Sequence, residues 1–248
     1  MLTIMHQDIL TLLKNKPIMI YLVLYPPLLI LVTGFVFSGI FSDDVLTSYD
    51  YYGVTMMIYL SMATVIILPE MLFGSHVKYA NYRIIYAPIA RAKVYLSKLL
   101  VSIGFAYIIM AAYMLLFNTI GLVDFGGKNI DSLLLLDLVF VTFAITFGGA
   151  FCVIVRNEDL STNLLNLLIN LFAIASGLFF SMTIFGKKIA AIADMSPIAK
   201  MADSFFGIIY DHNFHELSST IGILLLGSFI FLVIIHVMYR PEKFEGYQ

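Results

Sequence analysis

Apolar residues in this chain run in long unbroken stretches and seldom alternate with polar ones. Six stretches of roughly 20 residues stand out, at 18–41, 54–73, 94–116, 133–155, 164–184 and 221–239. At 1.5 Å of rise per residue, about 20 residues cross a hydrocarbon layer about 30 Å thick. Continuous runs favour helices over alternating barrel strands, and a helix satisfies its own backbone hydrogen bonds in lipid. The pattern predicts an all-α polytopic membrane protein with six transmembrane helices. The first run is too long for a secretory h-region, and Ser42-Asp43-Asp44 does not form a small-residue cleavage site, so it reads as a span.

Two further segments lie near the membrane without crossing it. Residues 1–16 place Met5, Ile9, Leu12 and Leu13 on one helical face, with Gln7, Asp8, Thr11 and Lys14 away from it. That spacing predicts an amphipathic interfacial helix. In the outer segment 186–213, apolar pieces at 189–193 and 198–210 are too short to span and are broken at Ser196-Pro197. They read as short re-entrant helices between spans five and six, with an amphipathic surface loop as the alternative. Residues 17–240 form the permease-like transmembrane domain, and 241–248 a short tail.

Composition agrees with this. Apolar residues make up 61% of the 248 and charged residues 12%, with mean hydropathy +0.96, against about 25% charged in ordinary soluble domains. Charge also orients the spans. Of 14 Lys and Arg residues, only Lys128, Lys187, Lys188 and Lys200 fall on one side, which is otherwise acidic; the other ten lie opposite. The positive-inside rule puts those ten, and both termini, in the cytoplasm. Cys152 is the only cysteine, so an internal disulfide is excluded. Trp is absent, which leaves Tyr and Phe to supply the aromatic belts.

The loop between spans two and three interleaves basic residues with Tyr79, Tyr82, Ile84, Ile85, Tyr86 and Ile89, and Pro88 interrupts it. Either a short helix presents Ile84, Ile85 and Ile89 to a partner, or the loop is a basic segment drawn to anionic headgroups. Asn163, Asn166 and Asn170 follow i, i+3, i+7 spacing, with Ser176-Gly177 and Phe179 beyond them. This polar face either lines a pathway or bonds a neighbouring helix. Phe35, Phe37, Phe172 and Phe180 would add apolar aromatic surface. Glu70, about one turn from the inner end of span two, is either a gate or a snorkelling carboxylate, and Asp137 is expected to snorkel outward. Gly34, Gly39 and Gly148-Gly149 permit close helix contact, and Tyr25-Pro26-Pro27 should kink span one. Asp211–Glu216 reads as a solvated turn capping span six, not as a metal site. No catalytic constellation can be assembled, and no nucleic-acid partner is expected.

Four stretches together resemble one family: Asn15-Lys16-Pro17 with Tyr25-Pro26-Pro27-Leu28-Leu29; Ala87-Pro88-Ile89-Ala90-Arg91 with Tyr95-Leu96-Ser97-Lys98-Leu99-Leu100; Ser176-Gly177-Leu178-Phe179-Phe180; and Ile192 through Pro197. Their order and spacing are similar to a type-2 ATP-binding-cassette (ABC) export permease. The chain departs from the family at 75–80, where many members carry an acidic stretch. The resemblance implies a transport subunit in a bacterial plasma membrane, paired with a second permease subunit, identical or related. A separate ABC ATPase subunit holding ATP and Mg would bind from the cytoplasm at residues 78–93, with Arg83, Ile84, Ile85, Pro88, Ile89, Arg91 and Lys93 as coupling residues. No phosphate-loop motif occurs in this chain, so no cofactor is expected on it. An amphipathic or hydrophobic cargo, such as a drug, lipid or membrane-active peptide, would suit the apolar spans. The rival is a stand-alone channel or secondary transporter, which would need ionisable groups at mid-membrane and internal repeats.

Overall fold

Capping side chains fix the starts of several helices. The computed structural model describes residues 1–39, 47–75, 77, 81, 90–179, 182 and 186–239. Within these lie nine helices: α1 (Leu2–Lys14), α2 (Lys16–Val36), α3 (Ser48–Phe73), α4 (Arg91–Thr119), α5 (Ile130–Val155), α6 (Glu158–Ala175), α7 (Lys187–Ala193), α8 (Pro197–Ile209) and α9 (His215–Met238). The described residues include no strand. Five helices, α2 to α5 and α9, are long and apolar enough to cross a membrane. The chain is an all-α polytopic membrane protein.

Local chemistry fixes the boundaries. Asn15 joins α1 to α2, its Oδ1 accepting from the Ile18 N–H at 3.3 Å with Pro17 in the first turn. Thr47 and Asp50 form a capping box at the start of α3, which satisfies donors the helix leaves open. Asn157 caps α6 at Leu160, after Arg156 ends α5 in the left-handed region at φ 64°. Ser196 caps α8 ahead of Pro197. In the Asp211–Glu216 turn, Asn213 Oδ1 accepts from the His215 N–H at 2.9 Å as α9 begins. α6, the counterpart of the run at 164–184, stops at Ala175. The reason is local: Ser176 leaves the helix and Gly177 takes φ 78°, a conformation cheap only for glycine.

α3 is the hub. Of its apolar window 83% is buried inside the protein, against 17% for α9; α3 packs against α2, α4, α5, α6 and α8. Gly148 of α5 touches the Val65 carbonyl in the short 3₁₀ turn of α3, and Gly149 sits against Leu68 and Ile235. Gly34 lies under the Tyr49 ring, and its carbonyl accepts from Ser48 Oγ at 2.8 Å. Around Gly39 nothing among the described residues lies within 4 Å of an added Cβ. In α2 a π-turn at Ile20–Leu24 leads straight into Tyr25-Pro26-Pro27. Pro27 has no N–H to offer Val23 four residues back, and the Tyr113 hydroxyl donates to that carbonyl instead.

The lysine and arginine residues Lys14, Lys16, Arg91, Lys93 and Arg156 mark one end of the bundle, the basic face. Asp50, Asp124, Asp194, Asp203 and Glu216 mark the other, the acidic face. Two polar residues depart from their expected places. Asp137 is not at the surface: it is 1% exposed, and Ser61 Oγ donates to its Oδ1 at 2.6 Å while Oδ2 has no partner among the described residues. Asp8 is not on the solvent side of α1. It is 4% exposed and faces α4 together with Leu12, whereas Ile9 and Leu13 face outward. The helix therefore turns part of its apolar edge outward and one carboxylate to the protein.

Candidate functional site: a polar and aromatic lane beside α6

α6 carries one face that does not belong in lipid. Ser161, Leu165, Ile169 and Ala173 are buried against the bundle. Asn163, Asn166 and Asn170, on the exposed side, stack along the helix, as i, i+3 and i+7 positions must. The Asn163 and Asn166 amides have no partner among the described residues. Asn170 does both things the spacing allowed. Its Oδ1 accepts from the Tyr59 hydroxyl at 3.0 Å, and its Nδ2 donates to the Asn166 carbonyl at 2.7 Å.

Tyr59 extends this face into an aromatic series. Toward the basic face, Tyr25 lies beside Tyr59 and stacks on Tyr21, with ring centres 5.5 Å apart. Toward the acidic face, Phe179 lies 5.5 Å from Tyr59, and its carbonyl accepts from Tyr52 at 3.5 Å. Phe37 stacks on Tyr52 at 4.6 Å, and Tyr51 on Phe206 at 5.5 Å. Nineteen residues of α3 separate Glu70 from Tyr51, about 28 Å of helix, close to the thickness of the hydrocarbon layer. The lane therefore runs from one face to the other. Tyr59 and Ser61 point about 200° apart on α3, so Asp137 sits on the far side of the hub from the lane. Sequence reading assigned the tyrosines to the membrane interfaces and missed Tyr21, Tyr25 and Tyr59. The signal was present: Tyr21 and Tyr25 share a helical face, as do Tyr52 and Tyr59.

Cavities lie along the lane. On the acidic face, one of about 260 Å³ is lined by Tyr51, Thr55, Ser176, Gly177, Asp203 and Phe206; Ser176 Oγ there donates to the Phe172 carbonyl. On the basic face, one of about 620 Å³ lies between Lys14, Lys16, Pro17, Glu70 and Ser75. A third, about 260 Å³, has a wholly apolar wall including Met62, Phe140, Phe147, Phe172 and Phe231. Phe35 is 73% exposed on α2; Phe180 lies outside the described residues.

Glu70 does not stand alone at the basic face. It lies beside Glu158, which opens α6, and Thr162 Oγ1 donates to Glu158 at 3.0 Å. Burial, then the neighbouring Glu70 carboxyl, push Glu158 up to about 7. Because its folded value lies above its unfolded one, the native state holds more protons between pH 4.5 and 7, and stability falls as pH rises through that window. Glu158→Gln should remove this fall and stabilise the protein at pH 8 by about 1 kcal/mol, since the half-exposed carboxyl is screened. Thermal unfolding in detergent at pH 5 and pH 8 checks it; an unchanged slope in the variant contradicts the assignment.

Of the expected coupling residues, Arg91 and Lys93 are exposed in the first turn of α4, on the basic face. Arg83, Ile84, Ile85, Pro88 and Ile89 lie outside the described residues. Asn81 is buried, and its Nδ2 donates to the Met71 and Leu72 carbonyls at 3.2 and 2.8 Å, closing the end of α3.

No curated protein matches the chain. The family of ABC-2 type transporters matches residues 1–210, which takes in α1 through α8 and the whole lane. Members of this family are membrane transport subunits that generally work with an ABC ATPase, and are not themselves catalytic. This chain belongs to the ABC-2 type transporter family.

Proposed function

We propose that this chain is the permease subunit of an ATP-driven exporter, and that two such subunits, identical or related, enclose the lane between them. The exposed amide stripe of α6 carries the reading. An amide left in hydrocarbon without a partner is costly, so Asn163 and Asn166 must meet either another protein surface or water in a pathway. A second permease subunit set against α2 and α6 supplies both. The cargo would enter at the Glu70 cavity, pass Tyr59 and Asn170, and leave by the Ser176 cavity. Aromatic rings with hydroxyl tips suit an amphipathic or hydrophobic molecule, which slides past them with few strong bonds to break.

In this reading the basic face lies in the cytoplasm, as the bias of Lys and Arg demands, and the chain sits in the cell membrane with both termini inside. The ATPase, with its ATP and Mg, docks around Arg91 and Lys93 and the segment preceding them. Purification from native membranes in mild detergent tests this. An ABC ATPase should accompany the chain; a chain that comes away alone, or moves solutes with no ATPase present, contradicts the proposal.

One observation favours a second reading. A secondary carrier needs an intramembrane ionisable group, and Asp137 is one. Its place behind α3, bonded to Ser61 and away from the lane, makes it a poor carrier site, and the ATPase-driven reading is preferred.

A further inference from the structure

The chain buries an ion pair that no part of the lane uses. Lys98 Nζ donates to Asp8 Oδ1 at 2.6 Å, with side-chain exposures of 2% and 6%. Ser97 Oγ donates to Asp8 Oδ2 at 3.4 Å. Asp8 lies midway along α1, and Lys98 seven residues into α4, about 10 Å from its start. Packing alone does not call for charge here. Leu12, one turn along α1 on the same side, is fully buried against the protein, so a second apolar contact would have held the helices together. An apolar contact allows sliding and rotation, whereas a buried, hydrogen-bonded pair tolerates one register and is costly to separate.

The pair closes a mechanical route. α4 begins at Arg91, within the segment 78–93 read as the ATPase contact. α1 runs into α2 through the single residue Asn15, which is hydrogen-bonded on both sides: its N–H to the Thr11 carbonyl, and its carbonyl to the Met19 N–H. α2 then carries Tyr21 inside the π-turn at Ile20–Leu24 and Tyr25 directly before the double proline, the features at which helices bend.

We propose that the Asp8–Lys98 pair is the positioning link that makes α1, and through it the base of α2, move as one body with the base of α4. A push on the start of α4 then reaches the lane through α1, and α2 flexes at 20–27. The direction of the push rests on the ATPase reading above; the link itself does not.

Spin labels separate the two. In a Cys152→Ala background, labels at Gln7→Cys on α1 and Leu100→Cys on α4 report the link in nanodiscs without any ATPase. A single narrow distance is expected. Asp8→Asn should broaden it, and the exchange Asp8→Lys/Lys98→Asp should narrow it again. Where Asp8→Asn does not fold, Asp8→Leu/Lys98→Met removes both charges together and should broaden it likewise. A distribution unchanged by these replacements, or not restored by the exchange in folded protein, overturns the proposal. In the ATPase complex, a second label pair at Leu24→Cys on α2 and Leu226→Cys on α9 should shift with nucleotide. Asp8→Asn should abolish that shift and lower nucleotide-driven coupling about tenfold, with ATP turnover retained. A shift that survives overturns the coupling role even where the link stands. If no ATPase binds the unmodified chain, the reading of function fails while the distances in nanodiscs still decide the link.

Discussion

Gly148→Leu is expected to yield no folded protein, and Gly148→Ala to be among the most damaging single-methyl additions in the chain. A Cβ at this position would fall inside the van der Waals shell of the Val65 carbonyl oxygen, with the rest of that residue behind it. The obstacle is backbone, in the one stretch of α3 already tightened to a 3₁₀ turn, so no side chain can rotate out of the way. Overpacking a well-filled core costs about 1–3 kcal/mol where side chains can yield; here α5 and α3 must separate, and about 3 kcal/mol or more is expected for Ala. Gly104 provides the control. It lies within α4 with nothing within 4 Å of an added Cβ, and Gly104→Ala should be neutral or stabilise by up to about 1 kcal/mol. Thermal unfolding and the monodisperse fraction in detergent compare the two. Equal behaviour would show that α3 and α5 do not cross where described.

Replacing Asn163, Asn166 and Asn170 together by Leu should separate folding from function. The three amides face outward on α6, and among the described residues only Asn170 bonds another helix, through Tyr59. The isolated subunit should keep its melting temperature to within the loss of one hydrogen bond, about 1 kcal/mol. Losing the polar face should suppress pairing of permease subunits or close the lane, and ATP turnover in the assembled transporter should fall about tenfold or more. Turnover unchanged from the unmodified complex would mean that the stripe meets neither partner nor pathway. Loss of the folded subunit itself would mean that the amides are internal struts.

These expectations depend on features that differ in how visibly the sequence displays them. Spans α2 to α5 and α9 were legible because hydropathy over 20 residues is a sum that no single residue overturns. The short helices α7 and α8 were legible from Pro197 and from their length. α6 was legible as apolar but not in where it ends, since one glycine at positive φ decides that. The amphipathic pattern of α1 matches an exposed edge at Ile9 and Leu13 but misplaces Asp8. A carboxylate on a helix looks solvated until its partner is known, and Lys98 lies 90 residues away in a different span. Asp137 was misplaced for the same reason: its partner Ser61 belongs to another helix. The lane was half legible. Three asparagines at helical spacing signal a face from sequence alone, whereas the stacking of Tyr21, Tyr25 and Tyr59 exists only once α2, α3 and α6 come together.

A separate ATPase that grasps this chain at the base of α4 from inside the cell, as proposed above, must come within reach of Ala90. Ala90 is exposed immediately before α4, and the native Cys152 is fully buried, so Ala90→Cys with Cys152→Ala gives one addressable thiol. In intact cells it should resist a membrane-impermeant reagent, react once the membrane is opened, and cross-link to a co-purifying ABC ATPase with a short bifunctional linker. Labelling of that cysteine from the cell exterior, or its failure to cross-link to any ATP-binding protein in an intact complex, would contradict the claim.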